Sequence, residues 1–180
     1  MTNPTTVTTK KVRLSYAHLF TPVKAEGSEI AKFSTSVLID KNDSVTLARI
    51  NSAIEAAKEV GKTSKWGGKI PAKLKTPLRD GDEDKPDDPN YAGKYFFNCS
   101  SQRKPGVVDT DYNEILDPEE VYSGCYAKVN VNFYPYDTAG NRGIAVGLNH
   151  VMKVADGDRL GGASISVEAA FAEDDDDDDI

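Results

Sequence analysis

Residues 122–136, YSGCYAKVNVNFYPY, alternate with a period of two. Cys125, Ala127, Val129, Val131 and Phe133 fall on one face, while Tyr126, Lys128, Asn130, Asn132, Tyr134 and Tyr136 fall on the other. Successive side chains of a strand point to opposite sides of a sheet, so the stretch predicts a strand with one dry face and one polar, aromatic face. Tyrosines interleaved with a lysine and two asparagines put flat rings, a positive charge and amides on one rigid surface. Unpaired nucleobases can use that combination, because rings stack on bases and cations sit near phosphates. Tyrosine also favours strands in the absence of any ligand, so the same face reads equally as a solvated sheet surface.

At 180 residues the chain is long enough for one domain with a real core. It is 38% hydrophobic with a mean hydropathy of −0.51, which describes a rather polar chain. No run approaches the ~18 apolar residues of a membrane helix, and MTNPTTVTTKK lacks the apolar centre of a signal peptide, so a cytoplasmic protein with no membrane partner is expected. Cys99 and Cys125 sit in different predicted strands without a CxxC spacing and read as small buried thiols. The net charge of −7 is not spread over the domain. Glu173 and Asp174 to Asp179 are seven acids; without them 22 of the 29 acids remain, equal to the 22 Lys and Arg. The acidity is a tail.

Upstream, residues 1–10 hold five threonines and almost nothing apolar, which predicts a flexible arm. Val12, Leu14 and Tyr16 alternate through KVRLSYAHLF, and Phe33, Thr35, Val37 and Ile39 through KFSTSVLID, giving two strands joined by a turn at Pro22 and Gly27. The period then changes. Leu47, Ile50, Ile54 and Ala57 define one face of a helix over about residues 44–60. Asn42, Asp43 or Ser44 can cap its start, and Gly61 stands where a left-handed C-cap belongs.

Residues 62–93 are the most polarised part of the chain. Lys62, Lys65, Lys69, Lys73, Lys75 and Arg79 occur without an acid among them, around Trp66, the only tryptophan. From Asp80 to Asp88 the sign reverses, with six acids and one lysine. A basic, glycine-containing loop with an aromatic can clamp a nucleic-acid backbone; equally, the two halves can pair with each other on the surface. DGDED lacks the spacing and closing glutamate of a calcium loop. KYFFNCSS predicts a third strand, with Tyr95 and Phe97 turned inward and Phe96 outward, followed by Arg103 and Lys104 at a Pro105-Gly106 turn. Val107 and Val108 begin a short strand. After a turn at DTAGN, RGIAVGLNHVMKV returns beside the strand of residues 122–136, with Gly143 and Gly147 marking a bulge or sharp bend. Ile165 and Val167 can add a last edge strand.

About five strands with a helix after the second predict a mainly β protein: an OB-fold-like five-stranded antiparallel barrel with an inserted α-helix and a disordered acidic C-terminal tail. A β-sandwich is the competing architecture, and it rarely carries a helix of four turns or so. The expected domain limits are 1–10 for the arm, 11–172 for the barrel and 173–180 for the tail.

Six consecutive aspartates repel one another and bury nothing. Tethered to a cationic groove, such a polyanion competes with nucleic acid at an effective concentration on the order of millimolar. Ile180 gives the tail, Glu173, Asp174, Asp175, Asp176, Asp177, Asp178 and Asp179, an apolar end that a replication partner can hold.

The segments RLSYAHLF, KFSTSVLIDK, KYFFNCSS, KPGVVD, YSGCYAKVNVNFYPYD, GIAVGLNHVMKV and DGDRLGG, in this order over residues 11–172, resemble the phage-encoded single-stranded DNA-binding proteins. That resemblance implies an OB fold, coating of single-stranded DNA, and a role in phage replication, recombination and repair in the host cytoplasm. It also implies recruitment of replication or recombination proteins through the acidic tail, and it is compatible with a homodimer.

Nothing points to catalysis or to a cofactor. His18 and His150 fall in different predicted strands, and no P-loop, GxGxxG, HExxH or zinc spacing occurs. The residues together predict sequence-independent single-strand binding. Trp66, Phe96, Tyr126, Tyr134 and Tyr136 are the stacking candidates. Lys62, Lys65, Lys69, Lys73, Lys75, Arg79, Arg103, Lys104 and Lys128 are the phosphate candidates. The rival from another class is an acidic DNA mimic or assembly protein acting through its tail; it leaves the basic loop and the tyrosine face unused.

Overall fold

The computed structural model describes residues 3–24 and 26–160. Strands β1 (Thr6–Thr8), β2 (Val12–Lys24), β3 (Ala31–Asp40), β4 (Arg79–Asp80), β5 (Lys94–Ser101), β6 (Gly106–Val108), β7 (Tyr126–Thr138) and β8 (Asn141–Ala155) accompany helices α1 (Ser44–Ser64) and α2 (Gly81–Asp84). Five strands close on themselves. β2 pairs β3, β3 pairs β5, β5 meets β8 in parallel at Ser100–Gly147, β8 pairs β7 along its length, and β7 returns to β2 at Val12–Ala127 and Arg13–Tyr126. This is the predicted OB-like barrel, with one parallel contact among four antiparallel ones. Three short strands extend it: β1 on β7, β4 on β5 and β6 on β8.

Alternation gives the core directly. Leu14, Val37, Ile39, Phe97, Cys99, Val129, Val131 and Phe133 are buried inside, and the rings of Phe97 and Phe133 lie 5.9 Å apart. Tyr95, predicted inward, is only half-buried, at the barrel's end under Lys41. Both cysteines are buried and free, and burial pushes the Cys99 thiol up to about 12. A smaller cluster of Leu38, Tyr91 and Phe96 lies on the outer side of β3 and β5, under the segment 81–93. No helix among the described residues is long and apolar enough to cross a membrane.

The N-terminal limit needs correction. Residues 1–10 were expected as a flexible arm, yet Thr5, Val7 and Thr9 are buried and Thr6–Thr8 pairs with Asn130–Asn132. The threonines supply the missing partners: Thr9 Oγ1 accepts from Val129 N at 3.0 Å, and Phe133 N donates to Thr5 O at 2.9 Å. The edge strand expected at Ile165 and Val167, the stretch 161–172 and the tail 173–180 lie outside the described residues.

Helix α1 starts at the Asp43 cap, whose Oδ1 accepts from Thr46 N at 3.1 Å. It buries Ile50, Ala53, Ile54 and Ala57 and packs chiefly on β7. Gly61 is not its C-cap. The helix continues to Ser64, and Gly61 is a buried interior residue, because a Cβ there would stand 2.6 Å from the Trp66 ring and 2.7 Å from Pro135. Gly to Ala in a helix normally stabilises by about 1 kcal/mol. Here overpacking against two rigid rings, at about 1–3 kcal/mol, outweighs that gain. Gly61→Ala is therefore expected to lower the urea midpoint; a raised midpoint would show that Trp66 moves aside freely.

Candidate nucleic-acid interface

The registers align one row of outward positions across the whole barrel. His18 of β2 stands opposite Ser34 of β3, Ser34 opposite Ser100 of β5, Ser100 beside Gly147 of β8, and Gly147 opposite Asn132 of β7. At the usual strand spacing this row forms a track that follows the curved outer surface of the barrel for about 19 Å. Its floor is low because its side chains are small: two serines and a glycine occupy the middle. A Cβ on Gly147 would make only ordinary contacts, 3.7 Å from the Tyr134 ring, so the position is open outward.

One wall comes from a bulge in β2. Ser15 pairs with Ser36 but His18 pairs with Ser34, so β2 carries one extra residue there. Tyr16 takes it up with a left-handed φ of +47° and is left 57% exposed, a conformation that costs a bulky residue about 1–2 kcal/mol. The displaced Ala17 N–H donates to Ser123 Oγ at 3.0 Å instead of to the sheet. Around Tyr16, His18, Ser34, Ser36 and Asn98 line a recess of about 430 Å³, with Lys85 and Tyr91 on its far side. Lys85 lies 5.6 Å from the Tyr16 ring and 5.4 Å from that of Tyr91. Further along β2, Lys104 sits 5.1 Å over Phe20.

The segment carrying Lys85 and Tyr91 is clamped to the barrel. Lys41 Nζ contacts Asp80 and Asp82 at 2.8 Å each, and Asp82 Oδ1 accepts from Gly93 N at 3.1 Å. These pairings raise the Lys41 ammonium above its usual range and hold both carboxylates below theirs. Tyr91 Oη reaches Ser15 Oγ at 3.3 Å and Ser36 Oγ at 3.5 Å. Asp84 binds Arg79 at 3.3 Å. Much of the acidic run is thus occupied with its own scaffold, and the two halves of 62–93 meet in an ion pair only through Arg79 among the described residues.

The predicted stacking residues separate. Trp66 and Phe96 are corrections: at 4% and 2% exposure they belong to the packing of the molecule. Trp66 donates from Nε1 to Tyr136 O at 3.1 Å, and Phe96 meets Tyr91 edge-on at 5.0 Å under the segment 81–93. Tyr126, Tyr134 and Tyr136 do share the outer face of β7, but differ in access. Tyr134 is 42% exposed beside Gly147, next to the track. Tyr136 is half-buried with its hydroxyl near Gly143, and Tyr126 is half-buried beneath Gly157 between Lys11 and Arg13. The amides of that face are already committed: Asn132 Oδ1 accepts from Thr5 and Thr6, while Asn130 donates to Thr8 and accepts from Asn149.

Of the predicted phosphate contacts, Arg103 and Lys104 are exposed at the edge of the track and line a recess with Ser101 and Asn149. Lys62, Lys65, Lys69, Lys73 and Lys75 are also exposed, and Lys128 stands on the outer face of β7. The basic loop is tied to the β7–β8 hairpin, since Lys75 N donates to Arg142 O at 3.1 Å and Lys75 O accepts from Ile144 N at 2.8 Å. In OB barrels the hairpin loops and the outer faces of the second and third strands are the surfaces that meet oligonucleotides. The glycines were misread: the irregularities of β8 fall at Asn149, between Leu148–Val131 and His150–Asn130, and at Val154, between Lys153–Ala127 and Ala155–Tyr126, while Gly143 admits Lys75 and the Tyr136 hydroxyl.

Tyr16, His18, Phe20, Lys85 and Asn98 were not among the predicted residues. Alternation from Val12 and Leu14 turns Tyr16 inward, but Leu19 is buried and lies in the opposite phase. That change of parity within RLSYAHLF is the available signal of the bulge.

Comparison with known proteins bears on the family and the fold. Residues 5–180 match a family model described as Enterobacter phage Enc34, ssDNA-binding protein. Protein p50 of Acyrthosiphon pisum secondary endosymbiont phage 1 is 32% identical over 168 residues, which cover 87% of this chain and 88% of p50. Among solved structures, the single-stranded DNA-binding protein from bacteriophage Enc34 in complex with ssDNA is similar at a TM-score of 0.76 and 26% identity, covering 87% of this chain and 90% of that one. The fold also matches gp2.5, a single-stranded DNA-binding protein encoded by bacteriophage T7, at a TM-score of 0.61 and 16% identity, over 89% and 97% of the two chains.

Proposed function

The chain belongs to the family of the Enterobacter phage Enc34 ssDNA-binding protein, and from that membership we propose that it binds single-stranded DNA across the track His18–Ser34–Ser100–Gly147–Asn132. The observation that carries the reading is a partly exposed row, with two serines and a glycine at its middle, bordered by aromatic rings on β2 and by Arg103 and Lys104. A duplex hides its base faces; a single strand offers them, and the rings of Tyr16, Phe20 and Tyr134 can stack on any base at about 1–3 kcal/mol each. Tyr126 and Tyr136 extend the same face of β7. Phosphates follow Arg103, Lys104 and Lys85, with the exposed lysines of 62–75 and Lys128 beyond. Such contacts read charge and ring faces, so binding is independent of sequence and suits the protection of exposed strands in phage replication, recombination and repair.

The tail of Glu173 to Asp179 regulates this surface. Leu160, the last described residue, donates from N to Ser123 O at 3.0 Å and packs on the Leu38, Tyr91 and Phe96 cluster. The 13 residues from there to Glu173 can span at most about 45 Å, which sets the reach of the acids over the barrel surface. The tail then disfavours duplex and weak binding, and it engages replication proteins when DNA displaces it.

Anisotropy titrations of labelled oligo-dT and an equal-length duplex, on the full chain and on a chain ending at Ala172, test this. Oligo-dT is expected to bind both forms, and duplex mainly the shortened one. With about four phosphates neutralised, log K should fall against log salt with a slope near −3. No binding by either form at low salt would end the proposal and leave the tail, acting as a DNA mimic on basic partners, as the working part.

A further inference from the structure

Beyond Arg103 and Lys104 the outer surface dips into a second recess, of about 330 Å³, walled by β6, β7 and β8. Val108, Val151 and Met152 give it apolar surface, and Thr8, Tyr112, Lys128, Asn130 and His150 also line it. Tyr112 is 77% exposed and holds a left-handed φ of +66°. A local turn sets it there: Tyr112 N donates to Asp109 O at 3.1 Å, while Asp109 Oδ1 accepts from Asp111 N at 2.8 Å and Asn113 N at 3.0 Å. An aromatic ring in a costly backbone conformation, with little packing in return, points to a role outside the fold.

His150 is seated with equal care. Its Nδ1 accepts from Gly106 N at 3.1 Å, which puts the proton of the neutral ring on Nε2 as a donor. Gly106 has no substitute, because a Cβ there would stand 2.6 Å from Nδ1. His150 and Asn130 also line the recess of Arg103 and Lys104, so the two depressions adjoin.

We propose that this recess is a second nucleobase slot, in which one unstacked base of the bound strand lies against Tyr112 and His150 with its phosphate near Lys128. The inference rests on single-strand binding along the barrel track and extends its path: from Tyr16 across Ser34, Ser100 and Gly147, past Arg103 and Lys104, and over β8 to Tyr112. The neighbouring recess of Arg103 and Lys104 and the lysine in the lining favour a base of that strand over a protein side chain as the occupant. A strand too short to leave the track cannot reach the slot.

The test is a length series of labelled oligo-dT, from about 4 to about 16 nucleotides, the range of site sizes for one OB barrel, titrated against the full wild-type chain and its Tyr112→Ala and Tyr112→Phe variants. Tyr112 is exposed, so neither variant disturbs the core. Tyr112→Ala is expected to match wild type on the shortest oligonucleotides and to bind the longest about tenfold more weakly. Tyr112→Phe should restore the loss. Equal affinities at every length, or the same loss at every length, would overturn the slot while leaving track binding intact. A loss that depends on protein concentration rather than on oligonucleotide length would assign the recess to a second copy of the chain. Failure of the wild type to bind any length would remove the single-strand reading itself.

Discussion

Exchanging Arg103 and Lys104 for glutamates is expected to weaken oligo-dT binding by about 30- to 1,000-fold at low salt. The estimate follows from distance. A phosphate crossing the track at about 8 Å from either residue, in a medium close to water, feels about 0.5–1 kcal/mol per unit charge. Replacing two cations by two anions accumulates to about 2–4 kcal/mol. Both side chains are exposed, and neither joins an ion pair among the described residues, so the fold has little to lose. Lys104 gives up its place over Phe20, a minor contact at an exposed site. The salt dependence separates this effect from a general one: loss of two neutralised phosphates should flatten the slope by about 1.4. Salt-series anisotropy reads both quantities. Unchanged affinity and slope would move the phosphate path to the lysines of 62–75.

The barrel was legible because alternation marks the inward residues of its strands, although β3 and β5 also bury Leu38 and Phe96 on their outer side. Period-two alternation in 122–136 and in KFSTSVLID identifies their inward residues, and the change to helical period marks α1 where it occurs. The order of the elements and, from their overall pattern, a closed barrel were thus accessible, but the parallel meeting of Ser100 with Gly147 has no local signature. The arm was misjudged for a related reason. TTVTT is polar in composition, yet each buried threonine there finds a backbone or amide partner in β7 or the preceding turn, so polarity did not mean solvation.

The site was harder to read than the fold, because aromatic residues are informative only once their phase is known. One extra residue in β2 turns Tyr16 outward, and alternation carried through the bulge assigns it to the core. Conversely Phe96 does face outward, as its position predicts, but the segment 81–93 folds back over it. A covering loop leaves no trace in the strand that it covers. Arg103 and Lys104 lie in the exposed bend between β5 and β6, while Gly106, expected in a turn, already pairs with His150 as the first residue of β6.

Trp66 gives the sharpest contrast between a residue's chemistry and its place. An isolated tryptophan in a basic, glycine-flanked loop fits a stacking platform, yet the ring fills the space between Gly61 and Pro135 and donates to Tyr136 O. Trp66→Ala is expected to cost about 3–5 kcal/mol of stability, because removing a buried aromatic loses its transfer energy and leaves a cavity. Against a typical total of about 5–15 kcal/mol, this would bring the barrel close to its unfolding threshold. Urea denaturation of wild type and variant measures the loss directly. The wild-type chain offers an independent reading, since Trp66 is its only tryptophan. A stacked indole would be strongly quenched as oligo-dT saturates the protein, whereas a buried one should keep its emission nearly constant through the titration. A stable Trp66→Ala protein together with deep quenching by DNA would return Trp66 to the binding surface. Loss of stability with steady emission would make the tryptophan the anchor that holds the basic loop against the β7–β8 hairpin, leaving the stacking to rings on the track.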